Sequence, residues 1–247
     1  MAAALWAGAA WGYDGKVFSL ALGAKVKSRL EQRGARTYDG VQLQPIVYAG
    51  FFDERIQIFG TSLEFLDFLG TRMLRGRTKL SSVSDDPFLK LAGPVDVRSS
   101  RPSTIEWMSR LELFLPSFDS PRVQLDLAYA KELKEHRGDY LELTARLTLA
   151  RWFLEREKPL VEPQLFATFG FGDSRHNAFW YGAGAGAGAS HVEYGLAVVS
   201  PARIDRHFPV FRFYRFDILR SPNIGPGQLV GQRGGFQVEA TLAFGLW

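Results

Sequence analysis

From Val17 to Lys27 the even positions Phe18, Leu20, Leu22, Ala24 and Val26 are apolar, while the odd ones hold Ser19, Ala21, Gly23, Lys25 and Lys27. A repeat of two is the strand period, because successive side chains leave opposite faces of a pleated chain. The alternation recurs along the sequence. Ile105, Trp107, Leu111, Leu113 and Leu115 oppose Thr104, Glu106, Met108, Arg110, Glu112 and Phe114; Val123, Leu125, Leu127 and Tyr129 oppose Arg122, Gln124, Asp126 and Ala128. Leu141, Leu143, Ala145, Leu147 and Leu149 oppose Tyr140, Glu142, Thr144, Arg146 and Thr148. Val161, Pro163, Leu165, Ala167 and Phe169 oppose Glu162, Gln164, Phe166, Thr168 and Gly170, and Phe236, Val238, Ala240, Leu242 and Phe244 oppose Gln237, Glu239, Thr241, Ala243 and Gly245. Weaker alternation marks Val41 to Ala49, Glu54 to Leu66, Thr71 to Ser82, Val192 to Ser200 and Phe208 to Leu219.

Alternation alone fits two architectures. In a soluble sandwich the apolar row faces a protein core; in a membrane barrel it faces lipid and the mixed row faces a lumen. Three features favour an all-β, antiparallel transmembrane β-barrel. The segments match the roughly 9 to 11 residues that cross a bilayer at a tilt. Their apolar rows are nearly free of charge. Aromatic residues gather at segment ends, where Tyr38, Tyr48, Phe51, Phe52, Trp107, Tyr129, Tyr140, Trp152, Phe153, Trp180, Tyr181 and Trp247 are expected to form interfacial girdles. Connection lengths point the same way. Short ones at Gly50 to Asp53, Pro116 to Ser120, Arg151 to Lys158 and Pro201 to Arg206 alternate with mostly longer ones at Ser28 to Asp39, Val83 to Pro102, Gly172 to Ser190 and Ser221 to Gly234. The segments above number eleven, and a barrel with both termini on one side needs an even count. Ten results if 54–82 is one interrupted strand, and twelve if a strand hides in Phe88 to Val97; the reading leans to twelve. Arg212 and Arg215 lie on opposite faces, so a bulge is expected near Tyr214.

Composition narrows the classes further. The 247 residues include no Cys, which removes disulfides, thiolate metal sites and cysteine nucleophiles. The formal charge is +4 with basic residues scattered, so no nucleic-acid footprint is read. No segment approaches the roughly 20 apolar residues of a spanning helix. Met1 to Ala10, MAAALWAGAA, resembles the tail of an export signal with an A-x-A site at Ala7 and Ala9, although no basic n-region precedes it. Residues 11–247 are read as a single barrel.

Candidate chemistry is sparse. His136, His176, His191 and His207 fall outside any H-x-x-x-H spacing, so no metal, cofactor or catalytic residue is assigned. Asp173-Ser174-Arg175-His176, Ser190-His191 and Asp205-Arg206-His207 are sequence neighbours, whereas catalytic partners usually meet through the fold. Gly182 to Ala189 lacks the Lys-Ser/Thr of a phosphate loop and reads as a strand extension or slack. The functional clue is the face expected to line a lumen: Lys25, Glu106, Arg110, Glu112, Arg122, Asp126, Glu142, Arg146, Glu162, Glu193 and Glu239. Acids and bases paired across strands imply a closed interior, whereas unpaired acids imply a small cation-favouring pore.

YDGVQLQPIVYAGFFDERIQIFGTSL (Tyr38 to Leu63) has a proline, Pro45, inside a strand, an aromatic turn and a strand closing on Phe59-Gly60. It resembles the second and third strands of the MltA-interacting protein (MipA)/OmpV outer-membrane family. FDILRSPNIGPGQLVGQRGGFQVEATLAFGLW (Phe216 to Trp247) is similar to that family's Ser-Pro loop and final strand, and Arg122 to Leu149, with His136-Arg137-Gly138 in its loop, resembles a family hairpin. The terminal Trp247 is out of phase with the apolar row, and a bulge near Gly245 would restore it. The resemblance implies a non-enzymatic barrel in the outer membrane of a Gram-negative-type bacterium. It would be surrounded by membrane lipid and lipopolysaccharide and inserted by the barrel-assembly machinery. Its implied role is to scaffold murein-remodelling enzymes, with a narrow solute pore and an outer-membrane barrel enzyme as the alternatives.

Overall fold

The computed structural model describes residues 18–28, 30–32, 35–38, 40–52, 55–66, 73–83, 89–92, 103–115, 123–149, 152–155, 158–182, 184–199, 210–219 and 234–245. The segment 1–10, read above as an export remnant, lies outside them. The strands are β1 (Phe18–Lys27), β2 (Leu30–Gln32), β3 (Ala35–Tyr38), β4 (Val41–Phe51), β5 (Ile56–Phe59), β6 (Ser62–Leu66), β7 (Leu74–Val83), β8 (Leu89–Ala92), β9 (Thr104–Leu115), β10 (Val123–Glu132), β11 (Asp139–Thr148), β12 (Trp152–Glu155), β13 (Lys158–Gly172), β14 (Gly188–Val199), β15 (Val210–Ile218) and β16 (Gly234–Gly245). One helix, α1 (Ser174–Tyr181), sits between β13 and β14. No helix among the described residues is long and apolar enough to cross a membrane.

Twelve strands close a barrel in the circular order β1, β4, β5, β6, β7, β9, β10, β11, β13, β14, β15, β16, with every neighbour antiparallel. Closure is made by β1, which pairs with β16 from Ala21↔Gly245 to Lys27↔Glu239 and with β4 from Phe18↔Phe51 to Lys27↔Gln42. The alternation read from the sequence sorts the two faces. Leu22, Val26, Val47, Leu127, Leu141, Phe169, Phe213 and Val238 are exposed on the outside, whereas Glu106, Glu112, Asp126, Glu162 and Glu239 are buried inside. Leu143 is 45% exposed and Asp126 1%, the reverse of a soluble core.

The twelfth strand is not where the arithmetic had room for it. Glu54 to Leu66 is not one strand but the hairpin β5–β6, turned at Gly60-Thr61, where Gly60 takes φ +58°. The segment Phe88 to Val97 does contain a strand, β8, but it is no separate stave: it pairs with Val41 to Leu43 at the other end of β4 from β5. Four residues give β5 only two periods, and Phe59, opposite the inward Tyr48, puts an aromatic ring where alternation calls for a polar residue, so the local pattern does not mark the hairpin. β5 and β8 thus share one side of β4 at different heights. The amide of Gly60 bonds to Val47 O, so the odd residues of β4 point their backbone groups to that side, Pro45 among them. Among the described residues no strand pairs with that side of β4 between residues 44 and 46. A missing N–H costs nothing there, and proline inside a strand is tolerated.

The bulge expected near Tyr214 is absent. β15 runs in unbroken register with both β14 and β16, so Arg212 points into the lumen and Arg215 outward. Arg215 is accommodated outside by Asp217, 2.9 Å from its Nε, and by the Phe236 ring beneath its guanidinium. β16 keeps register with β1 up to Gly245; Trp247, and with it the bulge that would bring its ring into phase, lies outside the described residues.

Because a β-branched residue at positive φ is strained by about 1–2 kcal/mol, Gly60→Val should lower the urea midpoint of the detergent-refolded barrel, whereas Gly60→Asn should stay near the parent. Equal midpoints for all three would mean that the β5–β6 turn is not built as described.

Candidate functional site

The strand ends flanking the long connections 28–40, 84–103, 173–187 and 219–233 lie together at one end of the barrel, here the loop end. Inside the wall, cross-strand register converts single charges into a belt. Lys25 and Lys27 of β1 reach Glu239 of β16 at 3.8 and 3.3 Å, and Arg212 of β15 reaches Glu239 at 3.6 Å and Glu193 of β14 at 3.9 Å. Arg110, Ala128 and Glu142 stand in one row across β9, β10 and β11. The methyl of Ala128 leaves room for Arg110 to cross it and donate to Glu142 at 3.3 Å. Arg146 pairs with Asp126, Arg77 lies 2.9 Å from Glu112, and Lys79 lies 3.8 Å from Glu64. Arg77, Lys79 and Glu64 belong to this belt but escaped the sequence reading, because the alternation around them was weak. Glu106 and Glu162 are buried on the same inward face, and Arg122 lies outside the described residues.

Arg212 is held by more than carboxylates. Its guanidinium carbon lies 4.6 Å from the Phe166 ring centre and 4.7 Å from that of Tyr214, so two aromatic faces flank the cation. Phe166, Ala197 and Tyr214 form a small buried cluster on β13, β14 and β15. Gly195 sits between their strands, and a Cβ there would fall 2.2 Å from Phe213 O.

The second feature is α1. Asp173 caps it, accepting from His176 N at 2.7 Å. Asn177 Nδ2 donates to the carbonyls of Gly172, Gly186 and Gly188 at 3.1, 2.8 and 3.3 Å, tying the helix to the Gly/Ala run that follows. Gly184, Gly186 and Gly188 all take positive φ, so the run is a curled tether whose last residues enter β14. Trp180 and Tyr181 form a buried cluster with Ala185 and Ile218 of β15, and Val83 of β7 packs against it. β7 and β15 lie six places apart in a ring of twelve, which is its full width. The helix and its aromatic residues therefore lie across the loop-end mouth.

Beneath the helix, three histidines distant in sequence converge. The Tyr140 ring stacks 4.8 Å from His176 and lies parallel to His191 at 6.0 Å, while His136 approaches His176 at 5.5 Å and Phe179 at 4.4 Å. The hydroxyls of Tyr181 and Ser190 each lie 3.1 Å from His191 Nδ1, and Glu193 lies 3.7 Å from Nε2. Ser190 is wholly buried, so its hydroxyl serves here as an internal bond of the plug. Among the described residues no three His, Asp or Glu side chains are arranged to hold a metal ion. Glycines make this packing possible: a Cβ on Gly170 would sit 2.4 Å from His191 Cε1, and one on Gly138 would sit 2.5 Å from His176 N. The β10–β11 loop is shaped by Glu132, which accepts from the successive amides of Lys134, Glu135, His136 and Arg137 at 2.6–2.7 Å.

The expected aromatic girdle is thereby divided. Trp107 and Tyr129 do face outward, with ring centres 6.2 Å apart. Tyr129 also reaches Asp139 at 2.6 Å, and Asp139 pairs with Lys131 at 2.7 Å, forming a polar outer rim near the loop end. Tyr48, Tyr140, Trp180 and Tyr181 are instead buried in the interior. Their position at segment ends was the same signal in both cases; only the parity of each residue and the fold of the loop separate the two groups.

No protein-family model matches the chain, and no curated protein is significantly similar to it.

A Cβ on Gly172 would fall 2.2 Å from Asn177 Oδ1 and 2.7 Å from His176 Cδ2, so Gly172→Val should lift α1 from the wall. Trp180 would then meet water, and the emission of Gly172→Val should shift to the red, a shift that vanishes when Trp180→Phe is added. An unshifted spectrum in a folded variant would show that the helix is not seated on Gly172.

Proposed function

We propose that this chain is an outer-membrane β-barrel with a structural, scaffolding role at the cell envelope of a Gram-negative-type bacterium. The observation that carries the membrane reading is the inverted distribution of polarity: exposed leucines, valines and phenylalanines on the outer wall, and ion pairs within. In water such a surface would associate without limit, whereas hydrocarbon is its proper solvent. The closed ring supports the same reading, since a bilayer offers no partner to a free strand edge. The polar outer rim of Tyr129, Lys131, Asp139, Arg215 and Asp217 then falls at the outer interface, and α1 over the external mouth.

Two observations favour a scaffold over an open channel. The loop-end mouth is crossed by the α1 cluster. At the opposite end β13 runs on past its barrel neighbours, and its residues Lys158 to Val161 pair with β12 in a hairpin that extends beyond the wall. A projecting hairpin with an edge strand offers backbone groups to a soluble partner by strand addition. This suits the role implied by the resemblance to the MipA/OmpV family, in which the barrel gathers murein-remodelling enzymes on its periplasmic side; that membership is part of the proposal. The reading assigns no catalytic residue.

An arginine placed among outward leucines near mid-bilayer costs about 2–4 kcal/mol, so Leu143→Arg should lower the stability of the bilayer-inserted barrel by that amount. The parent should fractionate with the outer membrane and migrate faster on unboiled gels; a soluble parent would defeat the membrane reading. For the scaffold, replacing residues 153–157 with a two-residue turn should cut retention of a murein transglycosylase and a murein synthase from envelope extracts by at least tenfold. Undiminished retention would defeat the role assigned to the hairpin.

A further inference from the structure

The belt inside the wall is not electrically even across its depth. In each pair the carboxylate is the more deeply set partner. The Glu112 side chain is 4% exposed beside Arg77 at 36%, Asp126 1% beside Arg146 at 27%, and Glu239 6% beside Arg212 at 33%. The cause is side-chain length: a short carboxylate stem lies against its strand, while the long stems of arginine and lysine carry their charge toward the axis. A solute inside therefore meets guanidinium and ammonium groups first. Coulomb energy falls with distance, so the nearer cations outweigh acids of similar number set behind them. Arg212, paired with Glu193 and Glu239, is also held in place by the faces of Phe166 and Tyr214, which fix its guanidinium on the lumen side of those acids. Within these pairs the acids are the screened members.

We propose that the lumen is a pathway for small anions, closed at its loop-end mouth by α1. The inference rests on the membrane-barrel reading above and adds a cargo class and a plug to it. Halide and small carboxylate or phosphate anions are the ligands that such a lining attracts, and chloride is the simplest probe. The plug is held by the three Asn177 hydrogen bonds and by Trp180 packing between β7 and β15.

The test is single-channel recording of the full chain in planar bilayers under a KCl gradient. The parent should be closed for most of the record. Asn177→Ala with Trp180→Ala should raise the open fraction at least tenfold, and the reversal potential of the open state should take the sign of chloride selectivity. Adding Arg146→Gln and Arg212→Gln should move that potential toward the potassium side. Should the double variant fold poorly, Gly172→Val offers a second route: its Cβ would fall 2.2 Å from Asn177 Oδ1, lifting α1 from the wall, and the open fraction should rise likewise. Variants that insert with normal heat-modifiable migration yet stay silent would overturn the pathway alone, and an open state selective for potassium would overturn the anion assignment. Absence of heat-modifiable insertion in the parent would remove this inference and the membrane reading together.

Discussion

Ring closure at β1 is the constraint on which the other features depend. β1 pairs along its whole length with β4 and from Ala21 to Lys27 with β16, so the first and last staves of the wall satisfy each other's backbone groups. An open sheet of the same strands would present two long edges of unpaired backbone N–H and C=O groups, which hydrocarbon cannot satisfy and which in water invite pairing with other chains. Once the ring is closed, every stave has an inside and an outside, and the period-two alternation acquires a direction. The greasy row must then face whatever surrounds the barrel.

The interior follows from that choice. A lumen ringed by twelve strands is too wide to be filled by small side chains alone, and here it is occupied by ion pairs set across neighbouring staves. Register decides which charges meet. Arg110 reaches Glu142 only because Ala128 stands between them, and Arg212 reaches both Glu193 and Glu239 because β15 lies between β14 and β16. Removing one member of a well-buried pair leaves its partner desolvated, so the belt is costly to edit one residue at a time.

The loop end is governed by small residues. Gly138, Gly170 and Gly172 let α1 and the ring of His191 lie flush with the wall, and the glycines after Tyr181 bend the chain back into β14. The result is an aromatic plug that spans the mouth from Val83 to Ile218. What covers the mouth and what lines the passage below are therefore built from different chemistry, one apolar and hydrogen-bonded, the other charged.

The sequence by itself determined the class of fold, the faces of the strong strands and which end carries the long loops, because alternation and turn residues are local properties of the chain. Glu112, Asp126 and Glu239 were legible as one inward family for that reason. It did not reveal that Glu54 to Leu66 folds back at Gly60, that Phe88 to Val97 lends only a short strand to β4, or that β15 needs no bulge around Tyr214. Those outcomes rest on pairing between distant segments, which a period cannot express. The plug was equally hidden: His136, Tyr140, His176 and His191 are unremarkable as neighbours in sequence, and only the meeting of the β10–β11 and β13–β14 connections stacks their rings. Parity along a strand says which way a side chain points; only the closed ring decides what it meets when it gets there.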